Sequence, residues 1–191
     1  MAKFFKSTWF KCIATLLSLT VLLGGTLAIL NDVLYVSAEE RTARAIKKIY
    51  GTEMKYESVL EEEKIYKDVG QINQAFEIGT DLLVQATGYN GYKGGTITLW
   101  VRVVENQSGH YVIDKIVLEN YTKQTLMSKL DGDFYSGFYV DITSAYKDGK
   151  IFVSDTKDKT NLVNPITGAT KSATAACNAV NAVINYVGEV K

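Results

Sequence analysis

Residues 167–172 read Thr-Gly-Ala-Thr-Lys-Ser. Thr167, Thr170 and Ser172 bring three hydroxyls to one short stretch, and Gly168 and Ala169 add almost no bulk beside them. A helix rich in small residues follows, so the string lies at a helix N-terminus. Unpaired amides and the positive end of the helix dipole favour a phosphate or another anion there. Lys171 adds a positive charge to the same turn. Threonine and serine also serve as ordinary helix caps, so the string alone leaves both readings open.

Other chemistries have less to stand on. The chain has two cysteines, Cys12 and Cys177, and one histidine, His110. No Cys-x-x-Cys pair exists and no second imidazole can share a metal, so zinc and iron–sulfur sites lack a ligand set. No Gly-x-Ser-x-Gly elbow is present, and no nucleophile–base constellation stands out. An anchored hydrolase is therefore the weakest functional class, and no catalytic residue is assigned. Asp131-Gly132-Asp133 opens like a calcium loop without completing one, and a turn is expected. Asn106 and Asn120 begin glycosylation sequons, a pattern too common to carry an argument.

The 21 basic and 21 acidic residues cancel. Lys3, Lys6 and Lys11 precede the first acidic residue, Asp32, so the rest of the chain is mildly acidic. This is not the clustered basic excess of a nucleic-acid surface. Residues 12–30 are uncharged and dominated by aliphatic and small side chains, about the length that crosses a bilayer core. Trp9 and Phe10 stand at its start, with lysines before it and acids after it. That asymmetry places the N-terminus in the cytoplasm and the remainder outside. A cleavable signal peptide competes through the small residues Val36-Ser37-Ala38, but the apolar run is long for one. An uncleaved anchor is expected.

Beyond the anchor, Ala43, Ile46, Ile49 and Tyr50 recur at helical spacing, predicting a helix over 38–50 that could continue the anchor outward. Glu61 to Lys64 reads as a solvated charged run. Residues 82–86, 96–104 and 111–118 read as strands. In the second of these, Ile97, Leu99, Val101 and Val103 alternate with Thr96, Thr98, Trp100 and Arg102. Asn106-Gln107-Ser108-Gly109 closes a hairpin. Residues 138–142 and 150–154 read as further strands, with a turn at 147–149. A last helix over 172–187 carries one apolar stripe, Ala173, Ala176, Cys177, Val180, Val183, Ile184 and Val187, on which Cys177 is buried and inert. The expected fold is α+β: a transmembrane helix, then one extracytoplasmic domain with a mostly antiparallel sheet and packed helices. The expected organisation is anchor 1–31, a helical and charged connection 32–74, and a domain 75–191.

Residues 163–172, Val-Asn-Pro-Ile-Thr-Gly-Ala-Thr-Lys-Ser, resemble the flavinylation motif of the FMN-binding domain family. That family includes the G subunit of the Rnf electron-transport complex and the C subunit of the sodium-translocating NADH:quinone reductase. Gly91-Tyr92-Lys93-Gly94-Gly95 and the strand after it are similar to a second family segment, and residues 116–130 to a third. The likeness spans 75–187. Asn164 stands where the family motif has Asp, and Lys123-Gln124-Thr125-Leu126 where Rnf-type proteins have Thr-Pro-Gly-Leu.

The resemblance implies FMN attached through a phosphoester to Thr170, with Thr167, Gly168, Ala169, Lys171, Ser172, Tyr92 and Leu126 around it. A threonine hydroxyl is a weak nucleophile, and no base lies near Thr170 in sequence. The family accordingly implies an external flavin transferase that uses FAD and a divalent metal. It also implies electron transfer among the subunits of a membrane redox complex, rather than a stand-alone enzyme. A tether would keep the flavin from being lost by dilution outside the membrane. The alternative is an extracytoplasmic binding or adaptor module of the same fold that holds FMN non-covalently or not at all.

Overall fold

The computed structural model describes residues 8–147 and 168–191. The chain divides into two compact units, residues 1–43 and 44–191.

In the first unit, helix α1 (Thr8–Leu34) runs for 27 residues without a buried side chain and is long and apolar enough to cross a membrane. Three of its hydroxyls bond locally: Thr15, Thr20 and Thr26 donate to carbonyls four residues back, at 2.7–2.9 Å. A hydroxyl bonded this way costs little in a water-free setting. Helix α2 (Ala38–Tyr50) does not continue α1; residues 35–37 break the two. Ser37 supplies the reason. Its hydroxyl accepts from the Glu40 amide at 3.1 Å and its carbonyl accepts from Arg41 at 3.0 Å. Serine followed three residues later by glutamate is a capping-box sequence, which starts a new helix.

The second unit is α+β. Its antiparallel sheet runs β1 (Glu57–Ser58), β3 (Gly70–Ile78), β4 (Asp81–Gly88), β5 (Ile97–Glu105), β6 (Tyr111–Tyr121), and β2 (Lys64–Tyr66) also pairs with β3. Tight turns impose the antiparallel order. Gly79, with φ of 65°, opens the two-residue β3–β4 loop, a position that calls for glycine in hairpins of this type. At the β5–β6 turn, Asn106 Oδ1 accepts from the amides of Ser108 and His110 at 2.9 and 3.0 Å. The expected connection over 32–74 also carries β1, β2 and the start of β3.

Helix α5 (Thr170–Val190) covers one face of the sheet. The stripe read from its sequence is buried throughout, against Ile97, Leu99, Val101 and Val103 of β5 and their neighbours on β3, β4 and β6. Gly88 makes the close approach possible, since a Cβ there would strike Ala175 O and Ala179 N of α5. On the opposite face Ala45, Ile46 and Ile49 of α2 pack on Phe76, Ile78, Leu83 and Trp100 in a second core. Beyond these residues that face turns polar. Asn73 donates to Thr87, whose hydroxyl pairs with that of Thr98, each at 2.8 Å.

Residues 138–142 form no strand. Asp131 caps the short helix α3 (Gly132–Ser136), and Phe138 follows it into a cluster with Phe134 and Tyr135. Only an isolated bridge joins Asp141 to Val112 before α4 (Ile142–Lys147) begins. Aromatic packing around one helical turn overrides the local strand preference. The strand expected over 150–154 lies outside the described residues.

Candidate functional site

Three chain segments meet at the N-terminus of α5: the loop 89–95, the stretch 122–126 after β6, and residues 168–172. The first helical bond of α5 runs from the Ala173 amide to Ala169 O at 2.9 Å. Ala169 is buried and its methyl cannot cap the helix, while Thr170 and Lys171 are exposed. The helix therefore starts on an exposed threonine, at the end where its dipole is positive.

Ser172, two residues on, is 2% exposed. Its hydroxyl donates to Gln124 Oε1 at 2.9 Å and lies 3.2 Å from Thr125 O. The same Gln124 oxygen accepts from the Tyr92 amide at 3.0 Å, and Gln124 Nε2 donates to Thr122 O at 2.9 Å. Gly91 and Gly95 leave room for that amide, because a Cβ at either would meet Gln124 Nε2. Thr96 and Thr122 exchange bonds that close the loop base, and Asn178 of α5 donates to Tyr89 O at 3.0 Å.

Backbone strain concentrates here. Among the described residues, five other than glycine have positive φ, and four of them, Asn90, Lys93, Lys123 and Leu126, belong to these loops. A left-handed side-chain-bearing residue costs of order 1–2 kcal/mol, and such strain gathers at functional sites because only a well-determined surrounding sustains it. Gly168, at φ of 84°, takes the same conformation without that cost. A Cβ built on Gly168 would lie 3.8 Å from Leu126 Cδ1 and 3.9 Å from Lys129 Nζ, so an apolar and a cationic side chain flank the turn. Leu126 is 47% exposed beside it, and Tyr92, 38% exposed, belongs to the loop whose amide bonds Gln124.

The structure thus brings Gly168, Ala169, Thr170, Lys171, Ser172, Tyr92 and Leu126 together. Thr167 and Asn164 lie outside the described residues. Ser172 directs its hydroxyl inward to protein acceptors, so it holds the turn in place. Gln124 and Lys129 belong to the site; the sequence marked their segment through the resemblance but gave neither side chain a role. A glutamine in a loop reads as solvated, and only the glycines at 91 and 95 hint that something fills the space between them.

Elsewhere the polar groups do structural work. His110 Nδ1 lies 2.7 Å from Asp141 Oδ2, and Asp141 also accepts from the amide and hydroxyl of Ser144, capping α4. Burial works to raise the Asp141 pKa, but Ser144 and His110 outweigh it and hold the carboxyl below its ordinary range. Arg102 bridges Asp81 and Asp114 at 2.7 and 3.0 Å, with its guanidinium 4.5 Å from the Tyr50 ring centre. Among the described residues no three His, Cys, Asp or Glu side chains cluster as metal ligands. Compared with protein-family models, with curated proteins and with solved structures, the chain matches none.

Proposed function

We propose that this chain is a membrane-anchored extracytoplasmic flavoprotein that carries FMN on Thr170 and passes electrons within a membrane redox chain. One observation carries the reading most: Thr170 is an exposed hydroxyl residue on the first turn of a 21-residue helix, beside a glycine and an alanine, where two strained loops converge. The residues present suit such a group. The helix N-terminus with Lys129 and Lys171 nearby favours a phosphate, and the exposed Tyr92 and Leu126 offer apolar surface to a flavin ring. When bound, the flavin supplies one- and two-electron chemistry.

The slight bulk of Gly168 and Ala169 leaves Thr170 open to another protein's active site. In the attachment step Thr170 Oγ1 gains a bond to phosphorus as the pyrophosphate bond of FAD breaks and AMP departs, and the hydroxyl proton leaves to the transferase. Co-expression with a flavin transferase tests this directly. A fluorescent band on a denaturing gel and an FMN-sized mass increment are expected, both absent in Thr170→Ala. An unlabelled wild-type chain under those conditions would sink the proposal. An increment lost on denaturation would favour the rival, a module that binds FMN without a covalent bond.

A further inference from the structure

We infer that Gln124 is the positioning residue of the Thr170 site, an inference that rests on the flavin-acceptor reading above. The warrant is a convergence on one buried amide. Gln124 is 9% exposed, and its Oε1 takes the Tyr92 amide and the Ser172 hydroxyl together, at 3.0 and 2.9 Å. Its Nε2 donates to Thr122 O, which fixes the amide plane so that the oxygen faces both donors. A carboxamide can accept twice and donate from adjacent atoms. The glycines at 91 and 95 keep the pocket for it open.

The consequence concerns where Tyr92 and Leu126 stand relative to Thr170. Tyr92 rides on a loop bonded to Gln124 through its own amide. Leu126 lies two residues beyond Gln124, in a left-handed conformation that needs support. The first turn of α5 is bonded to the same oxygen through Ser172. One side chain therefore ties the first turn of α5, which carries Thr170, to the loop of Tyr92 and the stretch that leads to Leu126. A group carried on Thr170 is held between them instead of swinging freely on its tether.

The test uses the full-length chain in detergent, co-expressed with a flavin transferase, with Gln124→Met and Ser172→Ala as variants. Intact mass reads labelling, flavin fluorescence anisotropy reads immobilisation, and the thermal midpoint reads the fold. Anisotropy is compared on the labelled fraction of each variant, as read by intact mass. The anisotropy of Gln124→Met should fall roughly two-fold as the tethered ring gains nanosecond motion, and that of Ser172→Ala should fall by less. Anisotropy equal to wild type in both overturns the role given to Gln124 while leaving the acceptor reading intact. A wild-type chain without the increment overturns the acceptor reading itself. If Gln124→Met does not fold, Ser172→Ala decides, since it removes one of the two bonds to the Gln124 oxygen without altering the α5 backbone.

Discussion

Cys177 faces the sheet from the middle of α5, and burial pushes its thiol up to about 12, so the thiolate that would react is almost absent at neutral pH. In a Cys12→Ser chain, a thiol-specific disulfide reagent should find nothing to label in the folded protein and one thiol after unfolding. Asp141 shows the opposite effect, with hydrogen bonds prevailing over burial. Its folded pKa lies below the unfolded value, so the unfolded chain binds more protons in acid and stability falls as pH falls. The contribution is fully present above pH of about 4, the unfolded carboxyl value, and disappears as pH drops through the folded one. Urea unfolding should show wild type more stable than Asp141→Asn at neutral pH, with the gap closing in acid. A gap that persists unchanged in acid would remove the carboxylate from this account.

At the scale of elements, the contact between α5 and the sheet governs the site, because the same helix fills the main core and begins at Thr170. Gly88 is its closest point of approach. Gly88→Ala forces a methyl against backbone atoms of Ala175 and Ala179, and overpacking of this kind costs about 1–3 kcal/mol. A lowered urea midpoint with unchanged m-value should result, and an unchanged midpoint would mean that the helix rides higher than described. The far face depends on α2 in the same way. Ile46 is wholly buried against the Trp100 cluster, and Ile46→Ala should cost about 2–5 kcal/mol, read from the same titration. Among the described residues β6 ends the sheet, and Val112 near its start bridges Asp141. Register shifts leave Asp114 and Glu119 as extra residues on that strand. Bulges bearing charge discourage pairing with another chain.

For the whole molecule, the two units suggest separate dependencies. No α1 side chain is buried, and the buried clusters begin at Ala45. A chain lacking residues 1–34 should therefore unfold within a few degrees of the full-length protein by circular dichroism. The full chain should stay in the membrane fraction through a high-salt wash, and the truncated one should not. A large loss of thermal stability in the truncated chain would show that α1 supports the rest of the fold.

Some of this was legible in the order of residues alone. The alternation along β5 and the stripe of α5 follow from a local period, because one face of each must be buried, while the apolar run of α1 and the turn at 106–109 follow from local composition. The Thr-Gly-Ala-Thr string was legible as a hydroxyl-bearing helix start. The break at 35–37 was also within reach, since Ser37 and Glu40 have capping-box spacing, yet a long apolar helix masked it. Other features had no local sign. Residues 138–142 look like a strand until the aromatic cluster with Phe134 and Tyr135 forms, and Gln124 looks like any loop glutamine. Periodicity reports only which face of an element is buried. Which loops meet, which amide is enclosed between them and which histidine reaches the Asp141 carboxylate depend on contacts between residues far apart in the chain, and only the tertiary structure decides those.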